Sequence, residues 1–263
     1  MRTTGDIVEN RKMIELIQGD CLEKMDELIK RGVKVDAIIT DPPYGTTSCA
    51  WDSIIPFEEM WAQINRVIKD NGAICLFAIE PFASHLRISN EKLYKYDWYW
   101  EKSLYSNVFN VKKQPKKIIE NICVFYKKQP TYNPQMEQGK PYTDKGNRKV
   151  KDFSQQQIMG VHTKTPIVNN GTRYPKNIIQ FSNPNNNKVH PTQKPVALLE
   201  YLIKTYTNAG ETVLDFTMGS GSTGVACVNT GRDFIGIELD ENYYKIAEKR
   251  IQEAQQLGQI WII

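Results

Sequence analysis

The sequence predicts an α/β fold with a mostly parallel sheet and helices on both faces. Short apolar runs, which predict strands, alternate along the chain with segments whose apolar residues recur at helical spacing. Residues 219–224, which follow a predicted strand and open a predicted helix, have the GxGxxG form of a nucleotide-binding turn. Both observations are typical of parallel α/β sheets, which bind ligands at the carboxyl ends of their strands.

The first part of the chain alternates strands with helices. Residues 57–69 place apolar side chains on one helical face, and Asn71-Gly72 is expected to end this helix. The uninterrupted apolar run at 73–79 is typical of a strand buried on both faces. The predicted elements here are strands at 13–18, 35–40, 73–79, 96–100 and 121–126, and helices at 21–30 and 57–69.

The last part of the chain returns to this alternation. The predicted elements are helices at 196–206, 221–229 and 241–255, and strands at 212–216 and 234–238. Glu238 ends the strand that follows the glycine-rich helix, where an acidic side chain accepts hydrogen bonds from ribose hydroxyl groups. This pattern suits a dinucleotide and S-adenosylmethionine (SAM) equally, because both carry a ribose.

Length and composition exclude several classes of protein. With 263 residues, the chain is long enough for one large domain or for one domain with an insert. Its apolar runs are too short to span a membrane, and residues 1–13 lack the apolar stretch of a secretory signal. Five widely spaced cysteines without a CxxC pair favour reduced thiols over disulfides or a zinc site. We therefore expect a cytoplasmic protein with no membrane partner and no metal.

Positive charge is concentrated in one region. Residues 127–190 contain eleven Lys or Arg residues and three acidic residues, a local charge of +8, whereas the whole chain carries +4. Residues 102–118 add five lysines and no acid. Because cations pair with phosphates and amides bind base edges, the basic and amide-rich segment 127–190 is consistent with binding to nucleic acid. It is equally consistent with a solvated insert that binds nothing.

The segment Asp41-Pro42-Pro43-Tyr44 directly follows the predicted strand at 35–40. Consecutive prolines fix the backbone and remove two N–H donors, so the segment presents its carbonyl groups in a fixed direction. The Asp41 carboxylate and the Pro42 carbonyl are then two acceptors for an exocyclic amino group. The Tyr44 ring offers a surface on which a base extruded from a duplex can stack.

Four motifs together resemble those of the SAM-dependent DNA methyltransferases that methylate amino groups. They are DPPY (41–44), HPTQKP (190–195), DFTMGSGSTG (215–224) and GIELDENY (236–243). DPPY precedes the glycine-rich motif, and this permuted order resembles the β class of the family. The resemblance implies a Rossmann-like methyltransferase fold with a catalytic half at 1–126, a loop-rich target recognition insert at 127–189 and a SAM-binding half at 190–263.

The resemblance also implies roles for individual residues. The catalytic motif is Asp41, Pro42, Pro43 and Tyr44. The residues implied in SAM binding are Asp20, Gln193, Lys194, Asp215, Phe216, Thr217, Gly219, Ser220, Gly221 and Glu238. In this assignment a cation at Lys194 pairs with the methionine carboxylate, and Asp20 lies near the adenine. Asp20 is also the expected N-cap of the helix at 21–30.

Contacts with DNA are expected from a separate set of residues, Trp51, Lys112, Lys113, Lys116, Lys117, Asn169 and Asn170. Trp51 follows DPPY and is expected either to cover the flipped base or to pack as an ordinary loop residue. The chain departs from the family pattern at Thr217, where an aromatic residue is usual; Phe216 is the candidate replacement. It also lacks the family's frequent His-Glu pair before Asn121, which leaves Glu120 without an assigned role.

The resemblance therefore implies a site-specific enzyme that transfers the methyl group of SAM to N6 of a flipped adenine, since DPPY is the form that this family usually uses for adenine. Methylation of cytosine N4 needs the same grip on an amine and remains an alternative. A dinucleotide-dependent oxidoreductase would need more strands after the GxGxxG turn, and a DNA-binding protein without activity would not need an intact DPPY. DNA is the expected partner, and a homodimer and a cognate restriction enzyme are left open.

Overall fold

A computed structural model describes residues 13–46, 53–105, 108–144, 166–184 and 193–260. The chain forms two compact units, of which the larger comprises Met1–Asn133 and Asn177–Ile263 and the smaller comprises Pro134–Lys176. The smaller unit is shorter at both ends than the insert predicted at 127–189. None of the helices in the described residues is long and apolar enough to cross a membrane.

In the described residues, the larger unit contains an eight-stranded sheet and six α-helices. Its strands are β1 (Ile14–Gln18), β2 (Val35–Thr40), β3 (Ile68–Ala78), β4 (Tyr94–Lys102), β5 (Ile119–Phe125), β10 (Ile178–Phe181), β11 (Thr212–Asp215) and β12 (Asp233–Glu238). Its helices are α1 (Cys21–Lys30), α2 (Phe57–Val67), α3 (Phe82–Ser89), α4 (Val196–Tyr206), α5 (Ser222–Thr230) and α6 (Glu241–Ile260), and a 3-10 turn covers Val108–Asn110. The smaller unit contains β6 (Glu137–Gln138), β7 (Tyr142–Asp144), β8 (Ile167–Asn169) and β9 (Thr172–Arg173).

The large sheet has the strand order β1-β12-β11-β2-β3-β5-β4-β10. Among these described strands, only β5 runs antiparallel to its neighbours, β3 and β4. All other adjacent pairs are parallel. The predicted mostly parallel sheet is therefore confirmed, and the seven strands that share a direction place their carboxyl ends along one edge.

Apolar layers cover both faces of this sheet. One layer packs α1, α2 and α3 against it, and the other packs α4, α5 and α6. Successive side chains of a strand point to opposite faces, so Ile38 of β2 lies in the first layer and Ile39 in the second. The predicted placement of helices on both faces is confirmed.

The junction between α2 and β3 differs from the prediction. The helix ends at Val67 and the strand begins at once at Ile68, so Asn71-Gly72 does not end a helix. The register between β2 and β3 is irregular at this point. A Cβ atom at Gly72 would lie 2.8 Å from the Asp36 carbonyl oxygen, so glycine is required here by the close approach of two strands.

Helix α3 and strand β10 were not predicted. Strand β10 has four residues in a basic, polar stretch, and only Ile179 among them is buried. It pairs in parallel with β4 at the edge of the large sheet, which brings residues 177–184 into the larger unit. The strands and helices that the sequence predicts are confirmed, and their observed ends differ from the predicted ends by at most five residues.

The smaller unit consists of two antiparallel ribbons, β6 with β9 and β7 with β8. The Asn169 side chain closes the turn between β8 and β9, because it donates to the Thr172 carbonyl at 2.9 Å and accepts from the Gly171 N–H at 2.8 Å. The predicted base contact of Asn169 therefore competes with a structural role, whereas Asn170 is exposed.

Candidate active site

The candidate site lies at the carboxyl edge of the large sheet. Strand β11 lies between β2 and β12 and is parallel to both. Asp41 and Thr217, which follow β2 and β11, therefore share this edge with Glu238, which ends β12. Open α/β sheets bind their ligands at this position.

Asp215 ties the ends of two strands to the start of α5. Its buried carboxylate accepts hydrogen bonds from the Thr40 hydroxyl at 2.7 Å, the Thr223 hydroxyl at 2.6 Å and the Thr217 backbone N–H at 3.2 Å. Burial raises the pKa of Asp215 to about 6, although the hydrogen bonds from Thr223 and Thr40 oppose this rise. Asp215 thus has a bracing role, and its approach to the methionine part of SAM stays a prediction.

Thr217 links the glycine-rich turn to DPPY. Its hydroxyl donates to the Asp41 carbonyl oxygen at 3.1 Å and lies 2.6 Å from the Thr40 hydroxyl. The residue that departs from the family pattern therefore makes a polar link that an aromatic ring would not make. Phe216 is only 1 % exposed and packs in the apolar layer, and its predicted contact with the cofactor stays a prediction.

Asp41 is held by residues that lie far apart in the sequence. Lys194 donates to one carboxylate oxygen at 2.5 Å, and the Tyr44 hydroxyl donates to the other. Lys194 also pairs with Glu120 at 2.9 Å, and Glu120 pairs with Lys102 at 2.5 Å. The side chains of Lys194 and Glu120 are 9 % and 5 % exposed. Asp41, Lys194, Glu120 and Lys102 form a row of alternating charges, which we call the charge cluster.

The charge cluster contains residues whose roles the sequence did not give. Neither Glu120 nor Lys102 was a predicted site residue. The signal that was available is an acidic residue within the apolar stretch that forms β5. Lys194 was assigned to the methionine carboxylate of SAM, whereas the structure pairs it with two carboxylates of the chain itself.

The opposite charges of the cluster counteract the effect of burial on each of these groups. Burial lowers the pKa of Lys194, but Asp41 and Glu120 outweigh burial and raise it to about 12. Burial raises the pKa of Glu120, but Lys194 and Lys102 bring it below its ordinary value. Burial raises the pKa of Asp41 above its ordinary value, with Lys194 opposing the rise and Glu120 adding to it.

The Tyr44 ring packs against Phe82 of α3, with ring centroids 5.1 Å apart and planes tilted by 42°. Burial and the nearby carboxylates of Asp41 and Glu120 raise the pKa of the Tyr44 hydroxyl well above 10. Tyr44 is therefore a protonated donor at neutral pH, and α3 sets the position of its ring.

The glycine-rich turn is shaped by packing as well as by its open backbone. Gly219 and Gly221 have φ angles of +53° and +76°, which favour glycine. A Cβ atom at Gly221 would lie 2.8 Å from the Cβ of Ala247, and one at Gly224 would overlap Ile251. The second and third glycines thus allow α5 to approach α6 closely.

Glu238 is a buried carboxylate beside this turn. One of its oxygens accepts the Gly219 N–H and the other accepts the Asp240 N–H, both at 2.8 Å. Burial raises the pKa of Glu238 above its ordinary value, against these two backbone hydrogen bonds. A carboxylate oxygen can accept more than one hydrogen bond, so Glu238 retains capacity for further donors.

The remaining predicted cofactor residues are distributed as follows. The Asp20 carboxylate caps α1 by accepting from the backbone N–H groups of Leu22 and Glu23, which confirms its N-cap role. Ser220 is 3 % exposed and its hydroxyl accepts from Arg250 of α6 at 3.0 Å. Gln193 is half-buried and directly precedes Lys194.

The lysines predicted to contact DNA are exposed in the segment between β4 and β5, namely Lys112, Lys113, Lys116 and Lys117. The Lys116 ammonium group lies 4.5 Å from the Tyr105 ring. Trp51 lies outside the described residues, so its contact stays a prediction. In the part of the chain that the structure describes, no group of His, Cys, Asp and Glu residues could hold a metal ion.

Residues 35–249 match the model of the N6_N4_Mtase family, whose description is DNA methylase. The chain belongs to this family of DNA methyltransferases. The matched range contains DPPY, the charge cluster, the glycine-rich turn and Glu238. Family membership also decides against the oxidoreductase alternative.

Two relatives of this methyltransferase have similar sequences over most of its length. DNA adenine methyltransferase YhdJ of Escherichia coli is 28% identical over 255 residues, which cover 91% of this chain and 83% of YhdJ. The type II methyltransferase M.HpaI of Haemophilus parainfluenzae is 27% identical over 245 residues, which cover 82% of this chain and 68% of M.HpaI.

Solved structures share the fold of this methyltransferase. The SAM complex of M1.HpyAVI superposes with a TM-score of 0.62 at 28% identity, over 90% of this chain and 100% of that chain. The PvuII DNA methyltransferase, described as cytosine-N4-specific, gives a TM-score of 0.62 at 16% identity, over 94% of this chain and 92% of that chain. At that identity, the second likeness shows the fold alone.

Proposed function

We propose that this methyltransferase transfers a methyl group from SAM to N6 of an adenine that is flipped out of DNA at a specific site. The observation that carries the proposal is the position of Asp41, Pro42 and Tyr44 at the carboxyl edge of the sheet, beside Thr217 and the glycine-rich turn. The name of the relative YhdJ supports adenine as the target base.

The residues at the edge of the sheet fit SAM. Glu238 is a buried carboxylate, and no lysine or arginine of the described residues pairs with it. Such a group is suited to accept hydrogen bonds from the two ribose hydroxyls. The open turn at Gly219 and Gly221 lies beside it, and Asp20 follows β1, which is the neighbour of β12. When bound, SAM supplies a methyl group that its positively charged sulfur has already activated.

The chain contributes positioning. The Asp41 carboxylate and the Pro42 carbonyl accept the two N–H groups of the adenine amine, and the Tyr44 ring stacks on the base. Because the amine is held in one direction, its nitrogen is aligned for attack without a strong base or a metal ion. The Thr217 hydroxyl donates a hydrogen bond to the backbone carbonyl oxygen of Asp41 at 3.1 Å, and this bond fixes the backbone of Asp41.

The test is methylation of mixed-sequence duplex DNA by the purified protein, with SAM as donor and mass spectrometry of the released nucleosides. We expect N6-methyladenine. A product of N4-methylcytosine alone would replace adenine by cytosine as the target, and the absence of both methylated bases would overturn the proposal.

Asp41→Ala provides the matched test of the site. We expect it to abolish methyl transfer while SAM affinity stays within roughly tenfold, because Asp41 is assigned to the target amine. Asp26→Ala removes a carboxylate of α1 that pairs with Lys30 and Arg66, away from the sheet edge, and should leave turnover unchanged. Near-normal turnover of Asp41→Ala would remove DPPY from the active site.

The recognition of DNA rests on the basic regions. The proposal places the target recognition function in the segment 127–190, which includes the smaller unit, and in the exposed lysines at 112–117. The basic composition of both regions supports this assignment. A cytoplasmic location, a homodimer and a cognate restriction enzyme remain predictions.

A further inference from the structure

The charge cluster contains more buried charge than a grip on an amine requires. Asp41 and Pro42 are sufficient to accept two N–H groups, yet Lys194, Glu120 and Lys102 extend the row of charges into the protein. The four residues come from four separate segments: the loop after β2, the segment before α4, strand β5 and strand β4. The fold therefore brings these charges together from positions across the sequence.

Burying these charges costs free energy, and the stability of the fold does not require them. Taking a charge out of water carries a large penalty, and apolar residues of similar volume often stabilise a fold at least as well as a buried ion pair. Glu120 lies within β5, where Ile122, Val124 and Phe125 are apolar and buried. An apolar residue at position 120 would satisfy the packing, so the cluster calls for a reason other than stability.

We propose that Lys194 is a positioning residue that keeps the Asp41 carboxylate ionised and oriented for the target amine. Glu120 is a second positioning residue, which holds Lys194 in place and limits its effect on Asp41, with Lys102 as the counter-ion of Glu120. The inference rests on the proposed function, because the amine gives the ionised carboxylate its purpose. An ionised Asp41 accepts hydrogen bonds at both oxygens, whereas a protonated one directs a donor toward the N–H groups of the amine.

The two positioning residues act on Asp41 with opposite sign. Lys194 lowers the pKa of Asp41, whereas Glu120 raises it and competes for the same ammonium group. Lys102 moderates this competition because it occupies the other oxygen of Glu120. Two further groups of the described residues act on Asp41: the Tyr44 hydroxyl, which stays protonated, and Asp215, which is buried at the end of β11.

The test measures kcat/KM for duplex DNA against pH at saturating SAM, since the acidic limb of this profile reports ionisations of the enzyme–SAM complex before DNA binds. For Lys194→Met, we expect the limb to move to higher pH by about 1–3 units, the usual effect of a neighbouring opposite charge. For Glu120→Gln, we expect it to move to lower pH. These opposite shifts are a signature that a loss of fold alone does not produce.

Further variants keep the test decisive if Lys194→Met does not fold. Lys194→Arg keeps the charge and should keep the limb at the wild-type pH, even where the altered geometry lowers the rate. Lys102→Met, at the opposite end of the row from Asp41, frees Glu120 to compete for Lys194 and should move the limb to higher pH by less than Lys194→Met.

The matched control is Asp97→Asn. Asp97 is a buried carboxylate of the neighbouring strand β4, with a side chain 1 % exposed and paired with Arg87 at 2.6 Å. It lies outside the charge cluster, so its removal should lower stability and leave the acidic limb in place. It thereby separates a general effect of breaking a buried ion pair from an effect on Asp41.

The outcomes of the experiment are distinct. Wild-type protein without any DNA methylation overturns the proposed function, and the inference with it. An active wild type whose Lys194→Met and Glu120→Gln variants lose the same factor in rate at every pH overturns only the positioning role. Shifts of opposite sign in these two variants, with none in Asp97→Asn, support it.

Discussion

Glu238 is a single buried carboxylate whose surroundings prepare it for hydroxyl donors. Both of its oxygens are anchored by backbone N–H groups, and its raised pKa reflects burial without a pairing cation among the described residues. Glu238→Ala should weaken SAM binding by about 1–3 kcal/mol, the cost of leaving hydroxyl groups without their acceptor. Isothermal titration of the purified variant with SAM measures this loss.

Glu241→Ala is the control for this titration, because Glu241 is an exposed carboxylate only three residues further along the chain, paired with Lys245. Its SAM affinity should equal that of the wild type. If Glu238→Ala also bound SAM with wild-type affinity, the ribose would be held by other residues.

Asp215 gives the protein a pH dependence of stability with a defined sign. Its pKa is about 6 in the folded chain, above its ordinary value of 3.8, so the folded state binds this proton more tightly than the unfolded state. The contribution of Asp215 to stability is therefore largest at low pH and is lost as pH rises through about 6. As pH rises from 3.8 to above about 6, the unfolding free energy of the wild type should fall by at most about 3 kcal/mol relative to that of Asp215→Asn.

Chemical denaturation at several values between pH 4.5 and 7.5 checks this prediction. Comparing the two proteins at each pH cancels the titration of other groups that both share. A difference in unfolding free energy that stays constant with pH would show that Asp215 ionises normally in the folded chain.

At the residue scale, the sequence predicted groups that local motifs define and missed those that only the fold brings together. Asp20 was recognised as an N-cap because its partners lie two and three residues away. The role of Glu120 was not predicted, because its partner Lys194 lies 74 positions further along the chain. Thr217 stood out only as a departure, since its bond to the Asp41 carbonyl joins two strand ends that are distant in sequence.

At the scale of elements, long periodic segments were predictable and short or irregular ones were not. Helix α1 was predicted at its observed bounds, because its apolar spacing and N-cap agree. Strand β10 was missed because it has four residues, only one of them buried, and its existence depends on the exposed edge that β4 offers. Gly72 was misinterpreted because a glycine needed for close strand approach resembles one that ends a helix.

The contact between α5 and α6 yields a prediction about the glycine-rich helix. A Cβ atom at Gly224 would overlap the Cδ1 atom of Ile251 and lie 2.8 Å from the Phe234 ring. Gly224→Ala should therefore lower the unfolding free energy by about 1–3 kcal/mol, although alanine favours helices more than glycine. Asn229→Ala, at an exposed position of the same helix, should change it by less than about 0.5 kcal/mol.

A double-mutant cycle identifies the cause of this loss. Ile251→Val removes the Cδ1 atom that the added methyl group would meet, so the double variant should be more stable than the sum of the two single losses predicts, by about 0.5–3 kcal/mol. Urea denaturation of the four proteins measures the cycle. Strictly additive losses would mean that the helix contact does not explain the effect of Gly224→Ala.

At the scale of the whole molecule, the basic loop between β4 and β5 lies at the same edge of the sheet as DPPY. Strand β4 runs in the direction of β2, so the loop leaves the sheet at the edge where Asp41 lies. The positive charge of this loop could be read from the sequence. Its position at the DPPY edge could not, because it depends on the order and direction of the strands. Exposed lysines beside a site that takes a base are positioned to meet the phosphate backbone of DNA.

The corresponding prediction concerns salt. If these lysines meet phosphates, the logarithm of DNA affinity should fall with the logarithm of salt concentration at a slope of about −0.9 for each contact. Replacing all four by alanine should flatten the slope and weaken binding to every sequence alike; the four are Lys112, Lys113, Lys116 and Lys117. Fluorescence anisotropy with one duplex at several salt concentrations measures both the affinity and the slope.

Two controls separate local contacts from net charge. A second quadruple alanine variant removes the same charge at exposed positions elsewhere and should retain the wild-type slope; its positions are Lys30, Lys92, Lys245 and Lys249. Phe109 lies fully exposed in the basic loop, so Phe109→Ala removes apolar surface without charge and should leave the slope unchanged. If both quadruple variants flattened the slope equally, overall charge would drive binding. If neither did, the loop would be a solvated connection with no part in holding DNA.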